Sequence, residues 1–274
     1  MPRRLRLDAE LVRRGLARSR DQASDLITDG RVRVGGVVAT KPATAVTTDV
    51  ALVVDEPTDG ADYVSRGGHK LAGALDVFEP LGLRVDGRRC LDAGASTGGF
   101  TDVLLRRGAA RVLAIDVGYG QLAWSLRQDD RVEVIDRTNV RELTTDRIGR
   151  PVELVTCDLS FISMRLALPA LTSVCEPDGD LVVMVKPQFE VGRERLGKGG
   201  VVRDPKLRAN AVHGVASAAY ELGWGTREAT PSQLPGPAGN VEYFLWLRSG
   251  LSPLTADASG RLVAAGPTGE KVAT

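Results

Sequence analysis

From residue 65 onwards, short apolar runs alternate with longer segments of mixed polarity. The apolar runs predict strands at residues 89–92, 112–116, 132–135, 152–157, 181–185 and 241–247. The mixed segments predict helices at about residues 69–79, 99–107, 120–128, 162–174 and 204–222. Short strands joined by helical crossovers form parallel sheets that helices cover on both faces. The pattern therefore predicts an α/β, Rossmann-like fold with a doubly wound, mostly parallel sheet.

The first part of the chain has a different pattern of apolar and polar positions, which is typical of a small α+β module. Asp8 can cap a short helix over residues 9–14. Ser19, followed three residues later by Gln22, forms the capping box of a second helix. An alternating apolar run then surrounds a Gly-Gly pair at residues 35–36, which predicts a β-hairpin.

These patterns divide the chain into four parts. We expect a small domain at residues 1–57, a linker at 58–64, the α/β domain at 65–249, and a tail at 250–274. The tail is rich in Gly, Ala, Ser and Thr, so we expect it to be flexible. A chain of 274 residues is long enough for one Rossmann-sized domain and a small module.

Charge and cysteine content narrow the possible functions. The net charge is only +1, but seven arginines and two acids lie within residues 1–20. This local excess fits either a solvated terminus or an RNA-binding surface. The three cysteines have neither metal-site nor disulfide-framework spacing, so we expect buried free thiols. The chain opens without a secretory signal, and its apolar runs are short, so a cytoplasmic protein is expected.

A glycine-rich segment, LDAGASTGGF at residues 91–100, follows the first strand of the α/β domain. Such a segment can be merely a tight strand-to-helix turn, or it can bring a ligand close to the backbone. Ser96 replaces the middle glycine of the dinucleotide fingerprint, which argues against a pyrophosphate ligand. Asp116 and Asp136 end the next two strands, where one can bind ribose hydroxyls and the other an adenine edge. S-adenosylmethionine, which has ribose and adenine but no phosphate, fits best.

Four charged residues lie at the edges of the predicted sheet. Asp158 and Lys186 directly follow apolar strands, while Glu242 begins the last strand and Lys70 enters the preceding helix. Ligands of open parallel sheets bind outside the carboxyl ends of the strands, so we expect Asp158 and Lys186 in that crevice. The four residues can form either a catalytic group or a structural ion-pair network.

Several long motifs resemble the FtsJ-like ribose 2'-O-methyltransferases, and most closely the TlyA family, which is often labelled haemolysin A. The motifs are SRGGHKL at 65–71, LDAGASTGGFTDVLL at 91–105, DVGYGQLAW at 116–124, DLSFIS at 158–163, VKPQFEVG at 185–192 and GNVEYFLWL at 239–247. Residues 7–23 and 30–44 resemble the alpha-L RNA-binding fold of a small-subunit ribosomal protein and of pseudouridine synthases. The resemblance covers nearly all of residues 3–248.

The resemblance implies a class I methyltransferase fold with a seven-stranded sheet and a catalytic tetrad of Lys70, Asp158, Lys186 and Glu242. Lys186 is the candidate base, and we expect burial and the nearby Lys70 to lower its pKa toward neutrality. S-adenosylmethionine is the expected cofactor, with no metal. The candidate cofactor-binding residues are Asp92, Gly94, Ala95, Ser96, Thr97, Gly98, Gly99, Phe100, Asp116, Asp136 and Asp158.

The resemblance also implies the substrate, a cytidine in ribosomal RNA of the small subunit and, in some members, of the large subunit. It links the activity to sensitivity to capreomycin and viomycin. The partner is ribosomal RNA in ribosomal subunits, with no membrane and no required protein partner. The candidate RNA-binding residues are Arg3, Arg4, Arg6, Arg18, Ser19, Arg20, Lys41 and Arg66.

Two other functions remain open on the residues alone. One is a membrane-active haemolysin, although the sequence has no strongly amphipathic basic helix. The other is a non-catalytic RNA-binding factor for ribosome assembly that has kept a methyltransferase fold. The complete tetrad and the intact glycine-rich segment argue against the second function.

Overall fold

A computed structural model describes residues 4–17, 20–28, 30–55, 63–197, 199–236 and 239–267. These residues divide into two compact units, with the boundary between Arg66 and Gly67. Of the linker predicted at 58–64, only Tyr63 and Val64 belong to the described residues.

The N-terminal unit combines two helices with short strands. Its described elements are, in order, β1 (Arg4–Arg6), α1 (Leu7–Arg13), α2 (Arg20–Thr28), β2 (Val32–Val34), β3 (Val37–Val38), β4 (Ala45–Thr47) and β5 (Leu52–Val54). Strand β1 pairs with β4, and β2 lies between β3 and β5. Gly35 and Gly36 have φ angles of +57° and +85° between β2 and β3, which confirms the predicted hairpin. Leu11 and Ile27 are fully buried in the core of this unit.

The cap predicted at Asp8 was wrong. Helix α1 begins at Leu7, two residues earlier than expected, and Arg6 occupies the N-cap position. Asp8 lies within the first turn, where its carboxylate still accepts a hydrogen bond from the Ala9 N–H at 2.8 Å. The capping residue predicted for α2, Ser19, lies outside the described residues.

The C-terminal unit alternates helices and strands. Its described elements are α3 (Gly67–Phe78), β6 (Arg89–Ala93), α4 (Gly99–Arg106), β7 (Arg111–Ile115), α5 (Trp124–Arg127), β8 (Val132–Ile135), α6 (Thr145–Ile148), β9 (Val152–Cys157), α7 (Met164–Ser173), β10 (Cys175–Val185), α8 (Pro187–Glu190), α9 (Pro205–Glu221), β11 (Trp224–Pro231), β12 (Tyr243–Ser249) and α10 (Ala256–Ala265). Short 3-10 helices lie at Glu79–Leu81, Val140–Glu142 and Arg193–Arg195.

One sheet of seven strands organises this unit, in the order β11-β12-β10-β9-β6-β7-β8. Strands β10, β9, β6, β7 and β8 are parallel, while β12 is antiparallel to both of its neighbours. This arrangement confirms the predicted α/β fold with a mostly parallel sheet. The prediction missed β11, and it made α5 longer than the four residues observed.

The tail predicted to be flexible from residue 250 was wrong for residues 256–265. These residues form α10, which packs against α9 and β11 and buries Val263. Thr255 caps the helix, because its side chain accepts a hydrogen bond from the Ala258 N–H. Residues 268–274 lie outside the described residues.

The register of the sheet brings the ends of four strands to one edge. Ala93 at the end of β6 pairs with Cys157 at the end of β9, so the chain leaves both strands side by side. Val185 at the end of β10 pairs with Tyr243 at the start of the antiparallel β12. The residues that follow β6, β9 and β10 and the residue that precedes β12 are therefore neighbours.

Candidate active site

The glycine-rich segment after β6 turns tightly into α4. Gly94 has a φ angle of +85°, and a Cβ atom there would overlap the carbonyl oxygen of Asp158. Gly98 has a φ angle of +101°, and a Cβ atom there would overlap the Leu126 side chain. Ser96 is also left-handed, with φ of +47°. Small residues are required here because the turn packs closely against Asp158 and Leu126, and Ser96 is its exposed residue.

The other predicted residues of this turn differ in accessibility. Ala95, Gly99 and Phe100 are buried, and Thr97 is half-buried. The Phe100 ring packs in the core, with its centroid 6.0 Å from that of Phe244. A ligand contact by Phe100 would therefore come from its backbone.

Two carboxylates lie next to this turn at the ends of β7 and β8. Asp116 accepts hydrogen bonds from the backbone N–H groups of Ser96 at 2.8 Å and Gly118 at 2.7 Å. Asp136 accepts one from the Gly120 N–H at 3.1 Å and forms a 2.8 Å ion pair with Arg127. Burial opposes ionisation of Asp136, but the hydrogen bonds and Arg127 outweigh it and lower its pKa.

A third carboxylate, Asp92 at the end of β6, is fully buried. Its Oδ2 accepts a 2.6 Å hydrogen bond from the Thr101 hydroxyl, while Oδ1 has no hydrogen-bond partner within the described part of the chain. Burial raises the pKa of Asp92 to about 7. A buried acceptor without a partner is costly, and a positively charged ligand would satisfy it.

These three carboxylates around a turn of small residues define the ligand chemistry that the site can accept. They would repel the phosphates of a dinucleotide. They fit the ribose hydroxyls, the ammonium group and the sulfonium charge of S-adenosylmethionine. The residues present are therefore compatible with this cofactor.

Lys186 follows β10 and lies beside Asp158, which follows β9. The Lys186 ammonium forms an ion pair with Asp158 Oδ1 and donates a 3.1 Å hydrogen bond to the Ser160 hydroxyl. Burial alone would lower the pKa of Lys186, but attraction to Asp158 and Glu242 outweighs burial and raises it. The expectation of a lysine pKa lowered toward neutrality was therefore wrong, because two carboxylates act on this ammonium group.

The other two tetrad residues form a second ion pair. Lys70 on α3 donates a 2.5 Å hydrogen bond to Oε2 of Glu242, and both side chains are buried. Glu242 immediately precedes Tyr243, which pairs with Val185, so it lies next to Lys186. The structure thus brings the four predicted residues together as two neighbouring lysine–carboxylate pairs.

Two aromatic residues beside these pairs were not singled out from the sequence. Phe161 lies three residues after Asp158, is 92% exposed and has a φ angle of +66°. Its ring centroid lies 5.4 Å from that of Phe189, three residues after Lys186. An exposed ring held in a strained backbone conformation offers a surface on which a nucleobase can stack.

Glu190 connects the segments that follow β9 and β10. Its side chain is 2% exposed and accepts hydrogen bonds from the Ser163 hydroxyl at 2.6 Å and from the Met164 N–H at 2.7 Å. Arg165 adds an ion pair at 3.2 Å. These contacts fix the segment that carries Phe161 to the segment that follows Lys186.

Comparison with known families assigns both units. Residues 63–249 match the FtsJ-like methyltransferase family, and residues 5–51 match the S4 domain family. The chain belongs to the FtsJ-like methyltransferases.

Relatives of this FtsJ-like methyltransferase extend over most of its length. The 16S/23S rRNA (cytidine-2'-O)-methyltransferase TlyA of Mycobacterium tuberculosis is 61% identical over 249 residues, which cover 91% of each chain. Hemolysin A of Brachyspira hyodysenteriae is 37% identical over 88% of this chain and 98% of its own. A candidate hemolysin of solved structure from Streptococcus thermophilus has a TM-score of 0.75 and 37% identity, covering 96% of this chain and 95% of its own. These matches confirm the resemblance to the TlyA family.

The S4 unit of the methyltransferase carries the residues predicted to bind RNA. Four of them are exposed in the structure: Arg4, Arg6, Arg20 and Lys41. Arg3, Arg18 and Ser19 lie outside the described residues, and Arg66 is half-buried. Arg6 and Arg20 both pair with Asp8, which the sequence pointed to only as a helix cap.

Three remaining features of the methyltransferase concern other kinds of site. Cys90, Cys157 and Cys175 are buried free thiols, as predicted. Among the residues described, no His, Cys, Asp and Glu side chains group in a way that could hold a metal ion. None of the described helices has both the length and the apolar character of a membrane span.

Proposed function

We propose that the protein transfers the methyl group of S-adenosylmethionine to the ribose 2'-hydroxyl of cytidines in ribosomal RNA of the small and large subunits. The family match and the name of the Mycobacterium tuberculosis relative support the reaction class and the RNA. The observation that carries the proposal is the pair of lysine–carboxylate contacts, Lys186 with Asp158 and Lys70 with Glu242, beside the glycine-rich turn.

A ribose 2'-hydroxyl is a very weak acid, so its oxygen needs a proton acceptor in order to attack. Lys186 Nζ is the proposed acceptor, with Asp158 and Glu242 orienting it. Because the pKa of Lys186 is raised, Lys186 must first release its own proton. We therefore expect kcat/KM to increase with pH throughout the neutral range.

The cofactor supplies an electrophilic methyl carbon on a sulfonium. The proposed contacts of the chain are the backbone of residues 94–99, Asp116 for the ribose hydroxyls, Asp136 for the adenine edge and Asp92 for positive charge. Holding the methyl carbon and the 2'-oxygen in line would contribute much of the acceleration, because positioning replaces a bimolecular encounter.

The S4 unit is the proposed anchor on ribosomal RNA, through the eight candidate residues Arg3, Arg4, Arg6, Arg18, Ser19, Arg20, Lys41 and Arg66. The exposed basic side chains among them, Arg4, Arg6, Arg20 and Lys41, are suited to contact phosphates, which position a protein on RNA without reading its sequence. Since its substrate is ribosomal RNA, we expect the enzyme to act in the cytoplasm without a required protein partner.

The proposal is tested by transfer of labelled methyl groups to purified small and large ribosomal subunits, followed by mapping of 2'-O-methyl sites. We expect labelled cytidines in both subunits. Lys186→Ala should abolish transfer in a protein that remains folded and still binds the cofactor. Equal transfer by this variant would contradict the assigned base.

A cellular test addresses the antibiotic link. Expression in a capreomycin-resistant strain that lacks a related enzyme should restore sensitivity, and expression of Lys186→Ala should not.

Incubation of the purified protein with dye-loaded liposomes should release no dye. Lysis in the absence of S-adenosylmethionine would instead support a membrane-active function.

A further inference from the structure

Asp8 joins two of the candidate RNA-binding arginines on one buried carboxylate. Arg6 donates to both carboxylate oxygens, from Nε to Oδ1 at 3.1 Å and from Nη2 to Oδ2 at 2.8 Å. Arg20, the first residue of α2, donates from Nη2 to Oδ2 at 3.0 Å. The Asp8 side chain is only 4% exposed, whereas those of Arg6 and Arg20 are 52% and 59% exposed.

The turn that carries Lys41 is attached to the same place. The Leu7 N–H donates to the Thr44 carbonyl at 2.8 Å, and the Asp8 N–H donates to the Pro42 carbonyl at 3.1 Å. The backbone of the turn that follows Lys41 therefore lies against the start of α1, beside Asp8. The pairing of Arg6 and Arg20 lowers the pKa of Asp8, so this carboxylate stays ionised at every physiological pH.

The arrangement leaves hydrogen-bond donors for a further partner. A guanidinium has five N–H donors; the contacts with Asp8 use two of those on Arg6 and one on Arg20. The group of two guanidiniums and one carboxylate has a net charge of +1. Both arginine side chains are more than half exposed, so this charge is accessible. A planar guanidinium fixed in advance loses less rotational freedom when it binds a phosphate.

We propose that Asp8 is a positioning residue that holds Arg6 and Arg20 together as one clamp for an RNA phosphodiester. The proposal rests on the RNA-binding role of the S4 unit proposed above. The proposal and simple electrostatics predict opposite changes in RNA affinity when the negative charge of Asp8 is removed. Removal of a negative charge from an RNA-binding surface strengthens binding when charge alone matters, whereas loss of a positioning carboxylate weakens it.

The test measures the affinity of the full-length protein for purified ribosomal subunits at several salt concentrations. We expect Asp8→Asn to weaken binding about tenfold and to lower the slope of log Kd against log salt by about one to two, the value for one or two lost phosphate contacts. Arg6→Ala and Arg20→Ala should weaken binding to a similar extent. In the Asp8→Asn background, Arg6→Ala should add less than about threefold, because paired residues are not additive.

Glu10 provides a matched control on the same helix. It is fully buried and pairs with Arg13 and Arg14, and Arg14 also donates to the backbone carbonyls of Val50 and Thr48. Glu10→Gln removes the same charge from an arginine pair that we assign to folding. We expect it to lower the melting temperature at least as much as Asp8→Asn, but to leave RNA affinity within about twofold.

The outcomes separate the two proposals. Unchanged or tighter binding by Asp8→Asn, with weaker binding by Arg6→Ala and Arg20→Ala, overturns the positioning role and leaves RNA binding by the S4 unit intact. Binding by all three variants at the level of the parent overturns both. If Asp8→Asn unfolds the S4 unit, Asp8→Glu decides, because it keeps the carboxylate. Partial recovery of affinity supports the clamp, and failure to recover in a folded protein counts against it.

Discussion

Lys70 donates a 2.5 Å hydrogen bond to Glu242 across 172 residues of sequence, and the two side chains are only 7% and 1% exposed. Removal of one partner leaves a buried charge without compensation, so Lys70→Ala or Glu242→Ala should destabilise the protein by about 3–5 kcal/mol. Urea unfolding at neutral pH measures this loss.

The double variant Lys70→Met/Glu242→Leu separates stability from catalysis. It replaces the pair by apolar groups of similar size, so we expect most of the stability to return. Methyl transfer should remain low, because Glu242 also acts on Lys186. Recovery of activity together with stability would show that the pair is purely structural.

Residues of the parallel strands were predictable because the strands are short and mostly apolar; β8 and β9 have the predicted bounds although each contains a glutamate. Strand β11 has the sequence WGTREATP, and its charged and small residues do not form the apolar pattern that predicts a strand. The strand is held mainly by its pairing with β12. Helix α10 has four alanines among its ten residues, which favour a helix, and it packs against α9 and β11. Tertiary contacts thus override local composition in β11, whereas α10 was missed because the whole tail was judged by its overall composition.

The identities of the tetrad residues could be predicted, but not their electrostatics. Lysine and carboxylate positions at strand ends place Asp158 and Lys186 at one edge. The sequence does not show which charged groups lie nearest to the Lys186 ammonium. The direction of the Lys186 pKa shift depends on the balance between burial and those charges. Phe161 was missed for a related reason, because exposure and a positive φ angle are properties of the folded chain.

Asp92 should make stability and cofactor binding depend on pH in opposite ways. Its pKa is raised to about 7, so its contribution to the stability of the fold is fully present below about pH 4, decreases as pH rises, and is lost once pH passes 7. Asp92→Asn should therefore gain a few degrees in melting temperature relative to the parent at pH 8, a smaller gain at pH 5, and none below about pH 4, the ordinary pKa of an aspartate.

The affinity for S-adenosylmethionine should increase with the fraction of Asp92 that is ionised. Below pH 7 protonation removes the negative charge, and the affinity of the parent for S-adenosylmethionine should fall by up to about tenfold per pH unit. Calorimetric titrations between pH 5.5 and 8.5 measure this dependence, which Asp92→Asn should abolish. The same pH dependence in parent and variant would exclude Asp92 as its source.

Alanine substitutions at Gly94 and Gly120 distinguish steric overlap from backbone strain at glycines with a positive φ angle. A Cβ atom at Gly94 would overlap the carbonyl oxygen of Asp158, a backbone atom, whereas one at Gly120, with φ of +69°, meets nothing within 4 Å. Gly94→Ala must shift the turn or the end of β9, and we expect cofactor affinity to fall about 100-fold. Gly120→Ala should cost only about 1–2 kcal/mol of stability, with affinity nearly unchanged.

Phe161 should contribute to RNA methylation and oppose stability. A phenylalanine in the left-handed region costs about 1–2 kcal/mol, so Phe161→Gly should raise or maintain the free energy of unfolding, as measured in urea. Loss of a stacking surface worth about 1–3 kcal/mol should lower kcat/KM for the ribosomal subunit by about 5- to 150-fold. Cofactor affinity should not change, because the glycine-rich turn is intact.

Leu166→Ala on α7 is the matched control for Phe161→Gly, since Leu166 is another large apolar side chain, 57% exposed. If exposed apolar area near the site were enough to bind RNA, both variants would lose activity. We expect Leu166→Ala to keep the kcat/KM of the parent, because an aliphatic side chain has no aromatic face for a base. Equal losses in the two variants would reduce Phe161 to a nonspecific apolar contact.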